Sequence, residues 1–437
     1  MASKPTESAV PSGRLSRLAK FGSLTTGIAG SMLVNGIRQL ASGKRPNIND
    51  LLLTPANARR MVAQLSQMRG AAMKLGQLLS MDAGDLIPPE LTQVLSVLRS
   101  SAAVMPRAQV EQVLVKSWGP SWRKRIKSFE LNPLAAASIG QVHRAVSKNG
   151  ELLAIKLQYP GVRKSIDSDV DNVASLLRFS GLVPSDIDLK PFLKDAKRQL
   201  HHEANYQREG QFLQRFHDLL KDNPAFCVPR WFEALSAPDV LVMSYVDSIP
   251  IDDLVSAPQQ QRDEVVGHLF ALFLRELFEF RMVQTDPNFA NYRYAPATRQ
   301  IVLLDFGAVQ EYSITVVKHF KALMKSALSG DRARMLSAAR ALGYFDATAS
   351  AQHQDMIMAL FDVAFEAQGF EGAYDFGSSD LAARLNPLAF GLMKDRDFWQ
   401  VPPTPVLLLQ RKAAGLYLLA VKLNAKVNIN ALVRAVV

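Results

Sequence analysis

Short apolar runs bounded by turn residues predict a small antiparallel sheet in the first half of the chain. The candidate strands are Ile126–Leu131, Gln141–Val146, Leu152–Leu157 and Val240–Val246, and a further strand is predicted at Ile301–Leu304. Helical periodicity dominates elsewhere. The predicted helices are Thr54–Met81, Pro89–Arg99, Arg107–Trp118, Pro191–Leu220, Arg262–Phe280, Ser313–Ser329, Asp331–Leu342, Gln354–Ala367 and Thr404–Leu423. The pattern therefore predicts an α+β protein.

Three oxygen-bearing side chains lie close together around the predicted strand Ile301–Leu304. Asp286 and Asn291 have D-x4-N spacing in a turn-forming segment, and Asp305 follows the strand in L-D-F-G. A protein-kinase-like site uses this layout: one Asp beside the phosphate acceptor, then an Asn and the D-F-G Asp holding Mg²⁺ against the phosphates of ATP. The alternative is a surface turn followed by a buried strand that ends in a Gly turn.

Upstream, alanines occupy a loop where a kinase would have glycines over the nucleotide phosphates. Ala135, Ala136 and Ala137 still have backbone N–H groups that could bind phosphate, but their Cβ atoms restrict the φ angles that glycine would allow. Ser138 follows with a hydroxyl that could meet phosphate, yet alone the segment would also fit a tight hairpin. Lys156 then ends an apolar strand; a phosphate and a glutamate would suit its charge, and an exposed edge lysine is the alternative.

The segment around Glu209 supplies the expected partner of Lys156. Asn205 and Glu209 are four residues apart and would share a helix face, whereas Glu203 would lie on a neighbouring one. Earlier in the chain, Lys74 and Gln77 are three apart and would share a face, with Glu203 as the candidate to meet Lys74. An ordinary solvated helix face is the alternative in each case.

A further segment has the position of a kinase hinge. Ser244 and Val246 end a predicted strand and would bind adenine through backbone groups, with Met243 at the back of the pocket. An ordinary core methionine is an equal interpretation of Met243.

Charge is concentrated at the start of the chain. The net charge is +11 over 437 residues, and residues 1–70 hold ten basic against two acidic side chains. Neither an aromatic-interleaved basic stripe nor zinc-finger spacing is present, which argues against nucleic acid and favours an anionic membrane surface. Residues 1–13 are expected to be disordered, and the uncharged run Phe21–Ile37 suits an interfacial helix, a flexible apolar linker or a packed soluble helix.

Cysteine and histidine usage gives no sign of disulfide or zinc chemistry. Cys227 is the single cysteine, which excludes an internal disulfide framework, and its apolar setting favours a buried thiol. The seven histidines show no ligand spacing.

Six ordered motifs resemble the UbiB/AarF family of atypical protein-kinase-like proteins, over about residues 50–430. They are K-L-G-Q at 74–77, A-A-A-S-I-G-Q-V-H at 135–143, A-I-K-L-Q-Y-P-G-V at 154–162, E-A-N-Y-Q-R-E at 203–209, T-D-P-N-F-A-N at 285–291 and L-D-F-G at 304–307. In the family the fourth motif contains E-x-D, so Asn205 replaces an expected carboxylate. That departure removes one negative charge near the site.

The resemblance implies a two-lobed kinase fold with an N-terminal helical extension whose K-x-G-Q motif covers the active site. The corresponding divisions are a basic segment at 1–48, the extension at 49–122, the smaller lobe at 123–246 and the larger lobe at 247–437. The resemblance also implies nucleotide binding with ATP and Mg²⁺, ATPase activity, and a supporting role in ubiquinone biosynthesis at a membrane. By the same resemblance, Lys156 and Glu209 would orient phosphates, Asn291 and Asp305 would hold the metal, and Asp286 would orient water or an acceptor.

The same resemblance suggests partners and a location. An anionic membrane lipid, an isoprenoid quinone precursor and ubiquinone-biosynthesis proteins are the expected partners, nucleic acid is not, and a homodimer stays open. The expected location is peripheral, on the cytoplasmic face of a bacterial inner membrane or, in a eukaryote, on the matrix side of the mitochondrial inner membrane. A small-molecule or lipid kinase acting on an isoprenoid precursor, and a nonenzymatic nucleotide-switched lipid chaperone, remain as alternatives.

Overall fold

The computed structural model describes residues 104–137, 139–179, 190–394 and 402–437. The chain divides into two compact units. The first contains Met1–Gln214 and Arg230–Tyr245, and the second contains Arg215–Pro229 and Val246–Val437. Phe21–Ile37, Lys74, Gln77 and Ser138 lie outside the described residues.

The first unit is built on an antiparallel sheet. Its strands are β1 (Ser128–Phe129), β2 (Ala135–Ala137), β3 (Gly140–Val146), β4 (Leu152–Gln158) and β6 (Val240–Ser244). The hydrogen-bonded order is β1-β3-β4-β6, with β2 paired to β3. In β4 the apolar residues Leu153, Ile155 and Leu157 are fully buried, so burial of one face of the strand fixes its register.

Within its described residues, four α-helices accompany this sheet: α1 (Arg107–Trp118), α2 (Val162–Phe179), α3 (Lys190–Glu203) and α4 (Tyr206–Leu220), of which α4 continues into the second unit. The prediction for α1 is confirmed in both bounds. The prediction of one long helix over Pro191–Leu220 is wrong, because the chain leaves the helix at Ala204 and Asn205.

A buried polar network supports the sheet around His143. The ring Nδ1 lies 2.8 Å from the Glu130 carbonyl oxygen, and Nε2 lies 2.8 Å from Gln141 Nε2. The Gln141 Oε1 accepts from the Met105 N–H at 2.9 Å. Because a carbonyl can only accept, His143 donates from Nδ1 and accepts at Nε2, which is the neutral ring.

Acid should therefore weaken the fold through His143. Burial lowers the pKa of this ring below its ordinary value of 6.5, although the bond to the Glu130 carbonyl opposes the shift. The unfolded chain then binds the proton first, so the free energy of unfolding should fall as the pH drops below 6.5 and should not depend on this group above it. Urea unfolding at pH 7.5 and 5.5 measures the difference.

The matched variant is His143→Asn, which keeps a donor near the Glu130 carbonyl and cannot titrate. Its loss of stability between the two pH values should be smaller than that of the wild type. Equal losses would contradict the assignment of a neutral His143.

The second unit is mainly helical. Its helices are α5 (Gln259–Arg275), α6 (Ile314–Ser329), α7 (Arg332–Ala341), α8 (Ala351–Ala364), α9 (Glu366–Gly369), α10 (Leu381–Lys394), α11 (Thr404–Lys422) and α12 (Ile429–Arg434). Its strands are β5 (Phe226–Cys227), β7 (Ile249–Pro250), β8 (Met282–Gln284), β9 (Tyr292–Ala295), β10 (Gln300–Leu303), β11 (Val309–Glu311), β12 (Tyr374–Asp375) and β13 (Lys426–Val427). The α+β prediction is confirmed.

Two short sheets of this unit hold the loops that carry the candidate site. One has the order β5-β10-β9-β7, and the other pairs β8 with β11. The apolar core lies around α6, α7 and α8, where Leu323, Phe345 and Met358 are fully buried. The predicted helix Arg262–Phe280 is correct only in part, because a π-helical turn replaces the α-helix at Glu276–Phe280. Among the described helices, none combines the length and the apolar character that crossing a membrane requires.

Candidate active site

Lys156 and Glu209 form a buried ion pair in the first unit. The Lys156 ammonium lies 2.8 Å from Glu209 Oε1 and 3.1 Å from Oε2, and the two side chains are 9% and 1% exposed. The ammonium also lies 5.2 Å from the centre of the Tyr206 ring. The strand thus delivers the lysine and helix α4 delivers the carboxylate, which is the pairing that the sequence predicts.

The break between α3 and α4 places Glu209 in the first turn of its helix. The Asn205 Oδ1 accepts from the Arg208 N–H at 3.1 Å, and the Asn205 carbonyl accepts from the Glu209 N–H at 3.0 Å. Asn205 is therefore the N-cap residue of α4. Asparagine and aspartate cap helices about equally well, so the substitution at this position preserves the cap and removes only the charge.

Ala135–Ala137 form strand β2 of a tight hairpin rather than an irregular loop. Ala137 pairs with Gly140 and Ala135 pairs with Val142. A Cβ at Gly140 would overlap the Leu157 carbonyl oxygen and would lie 2.8 Å from the Tyr206 hydroxyl. Gly140 and Tyr206 were not singled out from the sequence, and this close approach is what brings α4 against the hairpin.

The predicted hinge is partly occupied by the protein's own hydrogen bonds. The Ser244 N–H donates to the Arg230 carbonyl at 2.9 Å, so this one of the backbone groups at the predicted hinge is paired within the protein. Met243 is buried in β6 opposite Ala154, and Val246 is half-buried just beyond the strand. Glu203 is buried at the end of α3, while its expected partner Lys74, like Gln77, lies outside the described residues.

In the second unit, the segment from Asp286 to Asn291 is a short loop whose two end residues, Asp286 and Asn291, are buried. The Asn291 Nδ2 donates to the Asp286 carbonyl and Asp286 Oδ1 accepts from the Asn288 N–H, both at 3.4 Å. Since Asn291 uses Nδ2 in this contact, its Oδ1 points away from the Asp286 carbonyl. Carboxylate and amide oxygens are the ligand type that Mg²⁺ prefers, so this donor chemistry fits the metal.

Asp305 follows β10 and is linked to that loop through the backbone. The Leu304 N–H donates to the Asn291 carbonyl at 3.1 Å, and Asp305 Oδ1 accepts from the Gly307 N–H at 2.9 Å. Phe306 is fully buried, with its ring 4.8 Å from that of Phe216. The fold thus brings Asp305 to the Asp286–Asn291 loop.

A second D-F-G tripeptide shows that these three letters alone do not make a site. At Asp375-Phe376-Gly377 the Gly377 N–H donates to Asp375 Oδ1 at 3.0 Å, which is the same local turn. Here the aspartate pairs with the exposed Lys426 at 2.9 Å. The D-x4-N loop that accompanies Asp305 is what separates the two.

Comparison with known proteins agrees with these features. The profile of the ABC1 atypical kinase-like domain matches residues 97–339, more than half of the chain. The chain is 38% identical over 424 residues to a Danio rerio protein named atypical kinase COQ8B, mitochondrial, covering 96% of this chain and 68% of that protein. It is 35% identical over 429 residues to atypical kinase COQ8, mitochondrial, of Saccharomyces cerevisiae, covering 96% and 84% respectively.

A solved structure supports the fold. The Mycobacterium tuberculosis protein Rv3197, determined in complex with erythromycin, superposes with a TM-score of 0.61 at 24% identity, covering 85% of this chain and 93% of that one. The kinase-like two-lobed α+β prediction is confirmed. Taken with the six ordered motifs, these matches show that the chain belongs to the ABC1 (UbiB/AarF) family of atypical kinase-like proteins.

Proposed function

We propose that this protein is a Mg²⁺-dependent ATPase of the UbiB type that supports ubiquinone biosynthesis at a membrane. The observation that carries the proposal is the buried pair of Lys156 with Glu209. A buried pair is costly to retain for stability alone, because apolar residues often serve as well. In kinase-fold proteins a strand lysine held by a helix glutamate orients the nucleotide phosphates.

The proposed roles follow from the side chains. Lys156, held by Glu209, would bind phosphate oxygens, while Asn291 and Asp305 would hold Mg²⁺. When bound, the metal would neutralise charge that develops on the phosphates. Asp286 would orient a water molecule or an acceptor hydroxyl.

The remaining predicted contacts are also proposals. The backbone of Ala135–Ala137, with Ser138, would cover the phosphates, and backbone groups of Ser244 and Val246 would bind adenine beside Met243. Lys74 and Gln77 would restrain the pocket and disfavour protein substrates, with Glu203 meeting Lys74.

The biological setting is proposed from the relatives. Two of them bear the name COQ8 or COQ8B and are described as mitochondrial. We accordingly propose a role in coenzyme Q biosynthesis, with the basic residues of the segment 1–70 attracting anionic lipid. The matrix side of the mitochondrial inner membrane is the proposed location if the protein is eukaryotic, and the cytoplasmic face of the inner membrane if it is bacterial.

The experiment follows the γ-phosphate of labelled ATP in the full-length protein, with Mg²⁺ and with or without anionic liposomes and a ubiquinone-precursor-like phenol. If the label is released as inorganic phosphate, and the release increases with liposomes, the membrane-linked ATPase is supported. If the label appears on the phenol or on a lipid, the proposed ATPase gives way to the small-molecule or lipid kinase. ATP binding without release would replace it with the nucleotide-switched chaperone.

A further inference from the structure

A buried lysine from the end of the chain lies beside the loop that carries Asp286 and Asn291. Lys412 projects from α11 and is only 2% exposed. Its ammonium donates to Gln284 Oε1 at 3.2 Å, donates to the Tyr292 hydroxyl, and lies 3.9 Å from Glu276 Oε2. We call Lys412, Gln284, Tyr292 and Glu276 the Lys412 cluster.

The members of this cluster are placed at both ends of the loop. Gln284 is the last residue of β8, two positions before Asp286, and Tyr292 is the first residue of β9, directly after Asn291. One ammonium therefore ties together the two strands that frame residues 285–291. The ammonium also lies 4.9 Å from the centre of the Tyr292 ring.

Helix α11 touches the same loop at a second point. A Cβ built on Gly415 would overlap Pro287, the residue after Asp286. Only a glycine lets the helix approach this closely. The approach places Lys412, three residues earlier in the helix, at the base of the loop.

The Lys412 cluster combines a buried ammonium with a buried carboxyl group, that of Glu276. Burial alone would lower the pKa of Lys412, but Tyr292, Glu276 and Asp286 together raise it, so the ammonium stays charged. Burial raises the pKa of Glu276 to about 7, against the opposing influence of Lys412. Asp286 thus has a fixed positive charge nearby, although the segment 286–291 contains no lysine or arginine.

We propose that Lys412 is a positioning residue that fixes the Asp286–Asn291 loop from behind through Gln284 and Tyr292. The proposal rests on the function proposed above, because it assigns Lys412 to the support of Asp286 and Asn291 in phosphoryl transfer. Through this contact helix α11 becomes part of the support of the site.

The test measures kcat and KM for ATP hydrolysis by the full-length protein and by Lys412→Met. Displacement of a reacting group by about 1 Å costs up to about 100-fold, so kcat per folded molecule should fall by about 10- to 100-fold. KM for ATP should change by less than about threefold, since Lys156 and Glu209 belong to the other unit. The matched control is Lys426→Met in the same unit, where the exposed ammonium pairs with Asp375 at 2.9 Å, and its kcat should not change.

An unchanged kcat in Lys412→Met would overturn the proposal while leaving the ATPase assignment intact. Absence of hydrolysis by the wild type would instead overturn the assignment on which it rests. If Lys412→Met does not fold, Tyr292→Phe serves, because it keeps the buried ring and removes one hydrogen bond from the ammonium. In Tyr292→Phe, a fall in kcat of at least about threefold at unchanged KM supports the positioning role of Lys412, because the loss of one hydrogen bond has an effect of about this size. An unchanged kcat in this variant overturns that role.

Discussion

Replacing Asp305 by asparagine is expected to reduce ATP hydrolysis by about 100- to 1000-fold, the usual cost of removing one electrostatic contact to a transition state. The change removes the negative charge that would hold Mg²⁺ and keeps an oxygen at the Oδ1 position. That oxygen can still accept from the Gly307 N–H, so the turn should persist. Steady-state phosphate release, with urea unfolding to confirm that the fold is retained, measures the effect.

Asp375→Asn is the matched control for Asp305→Asn. It alters the second D-F-G tripeptide, whose turn has the same hydrogen bond, and it lies in the same unit. Its rate of phosphate release should equal that of the wild type. Equal losses in the two variants, or an active Asp305→Asn, would contradict the role of Asp305.

Replacing Lys156 by methionine should destabilise the protein by about 3–5 kcal/mol, because it removes the ammonium that balances the charge of the buried Glu209 carboxylate. Glu209 is 1% exposed, so water cannot easily replace the ammonium. The double variant Lys156→Met with Glu209→Gln removes both charges and should recover much of that loss. Urea unfolding of the wild type, both single variants and the double variant gives the coupling free energy.

An exposed pair in the same unit serves as the control for Lys156→Met. Lys197 and Asp171 lie 2.6 Å apart with side chains that are 26% and 60% exposed, so Lys197→Met should cost at most about 1 kcal/mol. A Lys156→Met variant as stable as Lys197→Met would show that the Glu209 carboxylate is not desolvated. All of the variants at Lys156 should lack ATP hydrolysis, which separates the role of the lysine from its effect on stability.

Local sequence was sufficient where one element determines its own structure. Helix α1 and strand β4 follow from periodicity, and α6 begins after Ser313, whose hydroxyl caps it at Val316. The pairing of Lys156 with Glu209 is nonlocal, and it was predicted from the kinase-like order of the motifs and not from local sequence.

Sequence was insufficient where structure depends on distant contacts or on a local choice between alternatives. The break at Asn205 is a cap that competes with continuation of the helix, and the residues on either side are good helix formers. Lys412 meets Gln284 and Tyr292 across more than a hundred residues, so no local pattern could indicate that contact. The bond from the Ser244 N–H to the Arg230 carbonyl likewise joins separate segments of the chain and has no local signal.

The most direct test of the central claim is the release of phosphate from ATP by the purified full-length protein, measured with Mg²⁺ and after its removal by chelation. We expect steady release that requires Mg²⁺ and returns when the metal is restored. Failure to bind ATP or release phosphate in a folded sample, with anionic liposomes present, would contradict the assignment as a Mg²⁺-dependent ATPase.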